Sequence, residues 1–344
     1  MRQFMMKNQI VNAAQERVTI RHVAEDAGVS VAAVSKVLRN AYGVSDSLRG
    51  RVEASIEKLR YRPSVAARAM RGRTQTIGVL VIELSNPFLP GVIEEANAAL
   101  SENGFKALIG IGRSASSIEA SMIESMIDNR MDGVVIIAPR ISGKILERYA
   151  RQIPIVVIAH HEPHAETYDT VNSDDRRGGY LAVEAALHAG YRDIAMLSYD
   201  LLDSPATIVA LQREEGYLDA MKQAGLKGRI IRLPPVAVDR QRAIRNFLDS
   251  KDRPRAVFVW SDLDAVPLIN AARTSAIRVP EDLAIIGYDN SPMAAIPLVG
   301  LTSVDQNQMQ LGRTAAEVLL SRIDGRRDAR HLLIEPRVEL RGST

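Results

Sequence analysis

The sequence of 344 residues contains no cysteine. Disulfide bonds and thiolate metal sites are therefore excluded, and a reducing compartment such as the cytoplasm is the expected location. No apolar run approaches the ~18 residues that a membrane-spanning helix needs, so we expect no membrane partner. Residues 1–18 are partly basic but have neither a continuous apolar segment nor a small-residue cleavage site, which argues against a signal peptide.

Patterns for metal binding and catalysis are also scarce. His160, His161 and His164 lie in one predicted loop without carboxylates at ligand spacing, so we expect no metal site. The segment "GIG" at 110–112 lacks the third glycine of a dinucleotide-binding fingerprint. No set of residues predicts a catalytic centre, and we expect neither enzymatic activity nor a cofactor. A doubly wound enzyme remains an alternative hypothesis.

Charge is distributed unevenly along the chain. Residues 1–73 contain 14 Lys and Arg against 6 Asp and Glu, whereas residues 74–344 contain 30 and 35. A basic segment ahead of an acidic one is typical of a polyanion-binding module attached to a domain with another task. A plain solvated basic surface is the alternative.

The basic segment contains a helix-turn-helix pattern. Thr19 is a good N-cap residue, and Gly28 can take the left-handed conformation that ends a helix. Ser30 then caps a second helix, and two helices joined by a short turn around a glycine form the helix-turn-helix motif. Ser45 caps a third helix. The apolar positions at helical spacing are Ile20, Val23, Ala24 and Ala27 in the first helix and Val52, Ile56 and Leu59 in the third.

The second helix, within "GVSVAAVSKVLRN", has two different sides. Val34, Val37 and Leu38 share one side and are predicted to pack against the other helices. The N-terminal residues of such a helix reach base edges in the DNA major groove, where Lys36 can donate to guanine and Val31 can contact a thymine methyl group. The residues of this segment predicted to contact DNA are Thr19, Ser30, Val31, Ala32, Ser35, Lys36 and Arg39, with Ser30 and Arg39 placed for phosphates. A three-helix subdomain without a ligand is the alternative.

Residues 64–76 follow Pro63, which ends the third helix. They include "SVAARAM", which is too short to be a stable helix alone, so we predict a hinge helix that forms on DNA or in a dimer. An apolar side chain in such a helix can wedge between base steps in the minor groove. Ser64, Ala67 and Met70 are the predicted contacts, and a plain linker is the alternative.

From residue 77 onward, short Val- and Ile-rich runs alternate with helical stretches, which predicts doubly wound parallel α/β sheets. The strands are too many for one ordinary sheet, so we predict two lobes with a ligand cleft at the carboxyl ends of the strands. The predicted strands are 77–82, 106–111, 133–138, 153–159, 193–198, 256–260 and 283–288. The predicted helices are 90–103, 116–129, 176–189, 208–224, 239–250, 262–274 and 309–323.

The chain from about residue 18 to its end resembles the lactose-repressor (LacI/GalR) family of bacterial transcription regulators. The resemblance rests on "VTIRHVAEDAGVSVAAVSKVLRN", on "VSDSLRGRVEASIEKLRYRPSVAARAMRGRTQTIGVLV", and on "SNPFLPGVIEEA", "VPEDLAIIGYDN" and "LTSVDQ" in the same order. It implies a small all-α helix-turn-helix head and a two-lobed body like a periplasmic sugar-binding protein. The implied bounds are 18–63 for the head, 64–76 for the hinge, 77–171 with 303–331 for the N-subdomain and 172–302 with 332–344 for the C-subdomain.

The resemblance also implies an effector site. Asp289, directly after "LAIIGY", matches an effector-binding aspartate, and Arg213, three residues before Gly216, matches an effector-binding arginine. Ala159 stands where many members have Asp, and Leu211 stands where many have Arg, so a typical hexose is not implied. The full predicted effector set is Phe88, Leu89, His160, Arg213, Ser261, Asp262 and Asp289. Other interpretations are that Asp289 bridges the lobes, that Arg213 forms a surface salt bridge, and that Trp260 packs at a strand end.

Together these patterns predict a homodimeric transcriptional regulator, expected to be a repressor. It would bind near-palindromic operator DNA and would be controlled by a small polar effector, a sugar or sugar derivative. The alternative is a small-molecule-binding protein without a role in DNA regulation.

Overall fold

The computed structural model describes residues 18–39, 41–62, 72–199, 206–234 and 237–344. The chain divides into two compact units, residues 1–74 and 75–344. In the described ranges, no helix is both long enough and apolar enough to cross a lipid bilayer.

The first unit contains the three predicted helices, α1 (Ile20–Asp26), α2 (Val31–Leu38) and α3 (Asp46–Lys58). The Ser30 hydroxyl caps α2 by accepting a hydrogen bond from the Ala33 amide at 3.1 Å. Gly28, between α1 and α2, has the left-handed φ of +61° that the turn requires. The helix-turn-helix prediction is therefore confirmed.

The core of this unit is a small valine cluster. Val23, Val34 and Val52, one from each helix, are completely buried. The Ser55 hydroxyl of α3 donates to the Val23 carbonyl of α1 at 3.3 Å, which satisfies a buried polar group between two helices. This packing fixes the orientation of α2 and leaves its other side exposed.

The described part of the second unit forms two six-stranded sheets. The strands are β1 (Thr76–Val81), β2 (Lys106–Ile111), β3 (Gly133–Ile137), β4 (Ile155–Ile158), β5 (Asp169–Ser173), β6 (Ile194–Tyr199), β7 (Ile230–Leu233), β8 (Ala256–Val259), β9 (Ala284–Tyr288), β10 (Thr302–Asp305), β11 (His331–Ile334) and β12 (Arg337–Glu339). The helices are α4 (Leu89–Glu102), α5 (Ser116–Asp128), α6 (Gly143–Ala150), α7 (Asp175–His188), α8 (Ala206–Gln223), α9 (Ala237–Asp249), α10 (Asp262–Thr274) and α11 (Gln308–Ile323).

Each sheet is the centre of one lobe. The first lobe has the strand order β11-β5-β4-β3-β1-β2, and the second has the order β12-β10-β9-β8-β6-β7. The inner strands are buried along their whole length, as expected when helices cover both faces of a parallel sheet. Among the described strands, every pairing is parallel except that of β10 with β12. The predicted doubly wound, two-lobed body is confirmed.

The chain passes between the lobes after β5, after β10 and after β11. The predicted subdomain bounds are wrong by a few residues at these points. β5 continues to Ser173 in the first sheet, β10 pairs with β9 in the second sheet, and β11 pairs with β5 in the first. The strands before these connections are short and partly polar, so hydrophobic periodicity does not mark where the chain changes lobe.

The seven predicted strands of the body are present, but the prediction lacked α6 and five strands, β5, β7, β10, β11 and β12. β5, "DTVNS", has a single aliphatic residue, and β12 has only three residues. Their stability comes from pairing with neighbouring strands rather than from a local pattern.

Candidate functional site

The exposed side of α2 is the candidate surface of the first unit. Val34 and Val37 are buried, whereas Val31, at the start of the helix, is 42% exposed. Ala32 and Lys36 are also exposed. The helix therefore presents small and apolar side chains and one amine to solvent.

Two other predicted contacts, Thr19 and Arg39, lie at helix ends of this unit. Thr19 is exposed ahead of α1, and its amide donates to Nδ1 of His22 at 3.4 Å. Arg39 follows α2, and its Nε donates to the carbonyl of partly exposed Ser35 at 3.2 Å. The predicted hinge contacts Ser64, Ala67 and Met70 lie outside the described residues.

Arg213, on α8, is the centre of a buried polar cluster in the second lobe. Only 4% of its surface is exposed. Its Nε donates to Asp175 Oδ1 at 2.8 Å, and its Nη1 donates to the Trp260 carbonyl at 2.6 Å. The guanidinium carbon lies 3.6 Å from the centre of the Tyr288 ring, so the cation also stacks on an aromatic face.

Asp175, the first residue of α7, joins the two lobes. Its Oδ1 also accepts a hydrogen bond from the Tyr288 hydroxyl at 3.1 Å, and its Oδ2 lies 2.7 Å from Nε2 of His161. His161 belongs to the loop that follows β4 in the first lobe. Burial alone would raise the pKa of Asp175, but Arg213 and His161 together lower it, so the carboxylate is held in its charged form.

Glycines bring α7 and α8 close enough for this ion pair. A Cβ at Gly179 would lie 2.1 Å from the Arg213 carbonyl oxygen, and one at Gly216 would lie 1.8 Å from the Arg176 carbonyl oxygen. No side chain fits at either distance, so the helix crossing requires glycine at both positions. The crossing places Arg213 beside Asp175.

Asp289 follows β9 directly and has a positive φ of 108°, a conformation that few non-glycine residues adopt. Its Oδ2 accepts from the Ser261 hydroxyl at 2.7 Å, and its Oδ1 accepts from the Gln306 amide at 2.6 Å. Arg213 Nη1 lies 3.9 Å from the same Oδ1. Burial raises the pKa of Asp289 to about 7, with Arg213 opposing the rise and Asp262 adding to it.

Asp262, at the start of α10, holds neighbouring segments together. Its Oδ2 accepts from the Ser291 amide and its Oδ1 from the Ser303 hydroxyl, both at 2.8 Å. Burial raises its pKa to about 6. Both of its oxygens bind protein groups, so Asp262 contributes by positioning the end of β9, where Asp289 lies.

The first-lobe residues of the predicted set do not join this cluster. Phe88 and Leu89 are buried in the apolar core of the first lobe. The His160 backbone exchanges two hydrogen bonds with the Asn172 side chain, and its Nε2 lies 3.0 Å from the Tyr168 hydroxyl. Burial, and then His161, lower the pKa of His160 to about 4, so its ring is neutral at physiological pH. The described residues contain no group of three possible metal ligands.

Comparisons with known proteins place this geometry in a family. A family model described as "Bacterial regulatory proteins, lacI family" matches residues 19–64, and one described as "Periplasmic binding protein-like domain" matches residues 183–344. The HTH-type transcriptional repressor PurR of Erwinia tasmaniensis is 31% identical over 316 residues, which cover 90% of this chain and 92% of that protein. The chain belongs to the lacI family of bacterial regulatory proteins.

Solved structures agree with this assignment. The lac repressor dimer bound to operator and the anti-inducer ONPF has the same fold, with a TM-score of 0.83 at 22% identity over 96% of this chain and 99% of that one. A transcriptional regulator CelR–cellobiose complex is 29% identical, with a TM-score of 0.69 over 95% of this chain and 100% of that one. This LacI-family protein is a DNA-binding transcriptional regulator with a periplasmic-binding-protein-like body.

The structure of this LacI-family protein brings four predicted residues together, namely Arg213, Ser261, Asp262 and Asp289. Three further members of the cluster, Asp175, Tyr288 and Gln306, were not predicted. Tyr288 ends the predicted strand "LAIIGY", and Asp175 stands in "VNSDDRRGG", where a strand gives way to a helix. A polar residue at such a turn is the signal that could have revealed Asp175.

Proposed function

We propose that this protein is a homodimeric transcriptional repressor that reads a near-palindromic operator with α2. A small polar effector, a sugar or sugar derivative, controls it from the cleft between the lobes. Repression of the target genes, rather than activation, is supported by relatives that are named as transcriptional repressors. A location in the cytoplasm, where the DNA is, follows from this proposal, and no cofactor is required.

The division of α2 into a buried and an exposed side carries the DNA-binding part of the proposal. Val34 and Val37 anchor the helix, while Val31, Ala32 and Lys36 face solvent. Small side chains let the helix approach the bases closely, and the amine supplies a hydrogen-bond donor for guanine. Thr19, Ser30, Ser35 and Arg39 complete the proposed contacts, and Ser64, Ala67 and Met70 are proposed to contact the minor groove from the hinge.

The buried cluster of the second lobe supports the effector site. Arg213, Asp289 and Ser261 lie at the carboxyl ends of β8 and β9 or beside them, where open α/β sheets bind ligands. Both Asp289 oxygens, the Ser261 hydroxyl, and Nε and Nη1 of Arg213 already have protein partners, so an effector must exchange with one of these contacts, add to a carboxylate oxygen or bind Arg213 Nη2. Asp262 is proposed as a supporting residue. Phe88, Leu89 and His160 are proposed to form the wall of the first lobe.

Exposed apolar residues on both lobes support a homodimer. In the first lobe, edge strand β2 exposes Leu108, Ile109 and Ile111, with Ile109 56% exposed. In the second lobe, the loop after β9 exposes Ile296 and Leu298, with Leu298 80% exposed. Groups of large exposed aliphatic side chains mark protein interaction surfaces, and a second copy with two-fold symmetry would cover the same patches on both subunits.

Control follows from linkage between the effector and the operator. An effector that favours one relative orientation of the lobes changes operator affinity, with a coupling of about 1–3 kcal/mol, and operator DNA changes effector affinity by the same factor. The contact between His161 and Asp175 is a direct connection between the lobes beside Arg213. Effector binding at Arg213 would therefore alter this contact between the lobes.

The replacement Lys36→Ala tests the proposed DNA contact. The operator is first selected from random duplex DNA with the full-length protein. We expect the variant to lose about 1–3 kcal/mol of binding at one base pair in each half-site. Lys58→Ala is the matched control, since it removes the same charge from the head but Lys58 pairs with Asp26 at 2.6 Å. An equal loss on all sequences would show that Lys36 contacts only phosphate.

The role of the head as a whole can be tested separately. We expect the body, residues 75–344, to lose operator binding and keep effector binding, because the head is a compact unit of its own. Retained operator binding by the body would contradict the proposal. If the full-length protein binds a ligand but no duplex DNA, the alternative of a small-molecule-binding protein is favoured.

A further inference from the structure

An aromatic pair lies at the carboxyl edge of the second sheet, next to the polar cluster. Tyr199 is the last residue of β6 and Trp260 directly follows β8, and these two strands are hydrogen-bonded neighbours. Their ring centres are 4.5 Å apart, with the ring planes tilted by 58°. Both side chains are only partly buried. The pair thus offers aromatic surface where ligands of such sheets bind.

The polar atoms of the pair are already bound within the protein. Trp260 Nε1 donates to Asp264 Oδ2 at 3.1 Å. Arg240 donates to the Tyr199 hydroxyl and, at 3.1 Å, to Asp264 Oδ1. These contacts lock the two side chains in position. What the pair can offer to a ligand is therefore the apolar surface of its rings rather than a hydrogen bond.

The aromatic pair and the Arg213 cluster are parts of one surface. Arg213 Nη1 donates to the Trp260 carbonyl, and its guanidinium carbon lies 5.3 Å from the centre of the Trp260 ring. An aromatic wall beside a few fixed polar groups is the usual anatomy of a small-molecule site. A ligand that reaches Arg213 or Asp289 would meet Trp260 as its neighbour.

The charges around this surface favour a particular kind of ligand. Carboxylates outnumber guanidinium groups in the described part of the cluster. Both guanidiniums, those of Arg213 and Arg240, are already paired with carboxylates. Each oxygen of these carboxylates already has a protein partner but most can accept a second hydrogen bond, so hydroxyl or N–H groups of a ligand can add to them, whereas the excess of carboxylates repels anions. The carboxylates concerned are Asp175, Asp262, Asp264 and Asp289.

We propose that Trp260 and Tyr199 form a ring-binding wall of the effector site. The ligand it takes is uncharged, with a flat apolar ring face and hydroxyl or N–H donors at the ring edge. Pyranose sugars and neutral aromatic bases share this chemistry. The inference rests on the proposed effector site and adds that a ring, rather than an open-chain polyol or an anion, is what the site selects.

Trp260 is the only tryptophan of the chain, so its fluorescence reports on this wall alone. The full-length protein is titrated with cellobiose, D-glucose and hypoxanthine as ring probes, with sorbitol as the open-chain probe, and with glucose 6-phosphate as the anionic probe. A rise in melting temperature reports binding of a probe. A change in Trp260 emission reports contact with the wall. For hypoxanthine, which itself absorbs light, the fluorescence lifetime of Trp260 is measured instead. Comparing the two sugar probes with hypoxanthine shows whether the ring is that of a sugar or of a base.

We expect at least one ring probe to raise the melting temperature and to change Trp260 emission, and sorbitol and glucose 6-phosphate to do neither. Trp260→Leu should weaken the binding of that probe roughly tenfold, since stacking on an aromatic face is lost. Trp260→Phe should restore most of the affinity, because it keeps a ring face.

Other outcomes contradict the inference in distinguishable ways. If a ring probe binds without changing Trp260 emission and binds Trp260→Leu as tightly as the wild type, the wall is wrong and the effector site stands. If only sorbitol or glucose 6-phosphate binds, the ligand class is wrong. If no probe binds, the proposed sugar-type effector falls together with the wall.

Discussion

The two lobes of the body have the same strand order but different chemistry at the carboxyl edges of their sheets. In the first lobe, the edge residues Phe88 and Leu89 belong to the apolar core, and His160 is neutral and bound to Tyr168. In the second lobe, the corresponding edge holds the cluster around Arg213, with its carboxylates and the aromatic pair.

The difference shows that a shared scaffold determines where a site lies but not what it binds. Strand order brings both carboxyl edges toward the connections between the lobes, and side chains then give only the second lobe a dense set of charges. We infer that the second lobe supplies most of the polar recognition and that the first lobe supplies a wall and the His161 contact to Asp175.

The largest effects are expected when one buried carboxylate is removed from each lobe. Asp169, at the start of β5, pairs with Arg322 and Arg326, as Asp175 pairs with Arg213. We expect Asp169→Asn and Asp175→Asn each to lower the free energy of unfolding by about 3–5 kcal/mol, because each leaves buried cations without their partner. Urea unfolding measures the loss.

Only one of these two variants should alter the candidate site. Asp175→Asn should change Trp260 emission, since Arg213 contacts both residues, whereas Asp169→Asn should leave the emission as in the wild type. Equal emission changes in both variants would mean that the two lobes are not chemically separate.

A smaller effect is expected from the helix crossing of the second lobe. Gly216→Ala should lower the free energy of unfolding by about 1–3 kcal/mol, because the new methyl group would overlap the Arg176 carbonyl and push α7 from α8. Gly50→Ala, in α3 of the head, is the matched control: nothing lies within 4 Å of its Cβ position, and alanine favours a helix. If both variants were equally stable, the close approach of α7 and α8 would be wrong.

A further expected effect concerns pH. Burial raises the pKa of Asp289 to about 7, so between about pH 4 and 7 the native carboxyl holds a proton that the unfolded one has lost. Its contribution to stability is complete at low pH and is lost as the pH rises through 7. Relative to Asp289→Asn, the wild type should therefore become less stable from about pH 5 to about pH 8.

Comparing the two unfolding profiles removes the contributions that both proteins share. His160, whose pKa is lowered to about 4 by burial, changes stability in the opposite direction in both of them. Urea titrations at several pH values give the difference directly. A difference that does not vary with pH would show that Asp289 is charged throughout.

Much of the fold was predictable because it has local signatures. Ser30 and Gly28 mark the helix-turn-helix, and the Val- and Ile-rich runs mark the inner strands. β5 and β12 were missed, since their residues have no apolar alternation and depend on distant partners. The points where the chain changes lobe depend on the same pairings and were misplaced for that reason.

The candidate site was predictable only in part. Arg213 and Asp289 stand at matching positions in family motifs, but their partner Asp175 comes from a helix start that is 38 residues from Arg213 in sequence. Phe88 and Leu89 follow a recognisable motif, yet the structure buries them in a core. A motif identifies a residue, and only the packing around it shows whether the side chain is available to a ligand.

The most direct test asks whether effector binding changes operator affinity through Arg213. Operator affinity is measured with and without the effector found among the probes, for the full-length wild type, Arg213→Lys and Arg232→Lys. The last variant is the matched control, because Arg232 pairs with Glu214, the residue next to Arg213. Without effector, we expect similar operator affinity for all three proteins. With effector, we expect a change of roughly 5- to 150-fold in the wild type and the control and no change in Arg213→Lys. An Arg213→Lys protein that responds to the effector like the wild type would contradict the proposed role of Arg213.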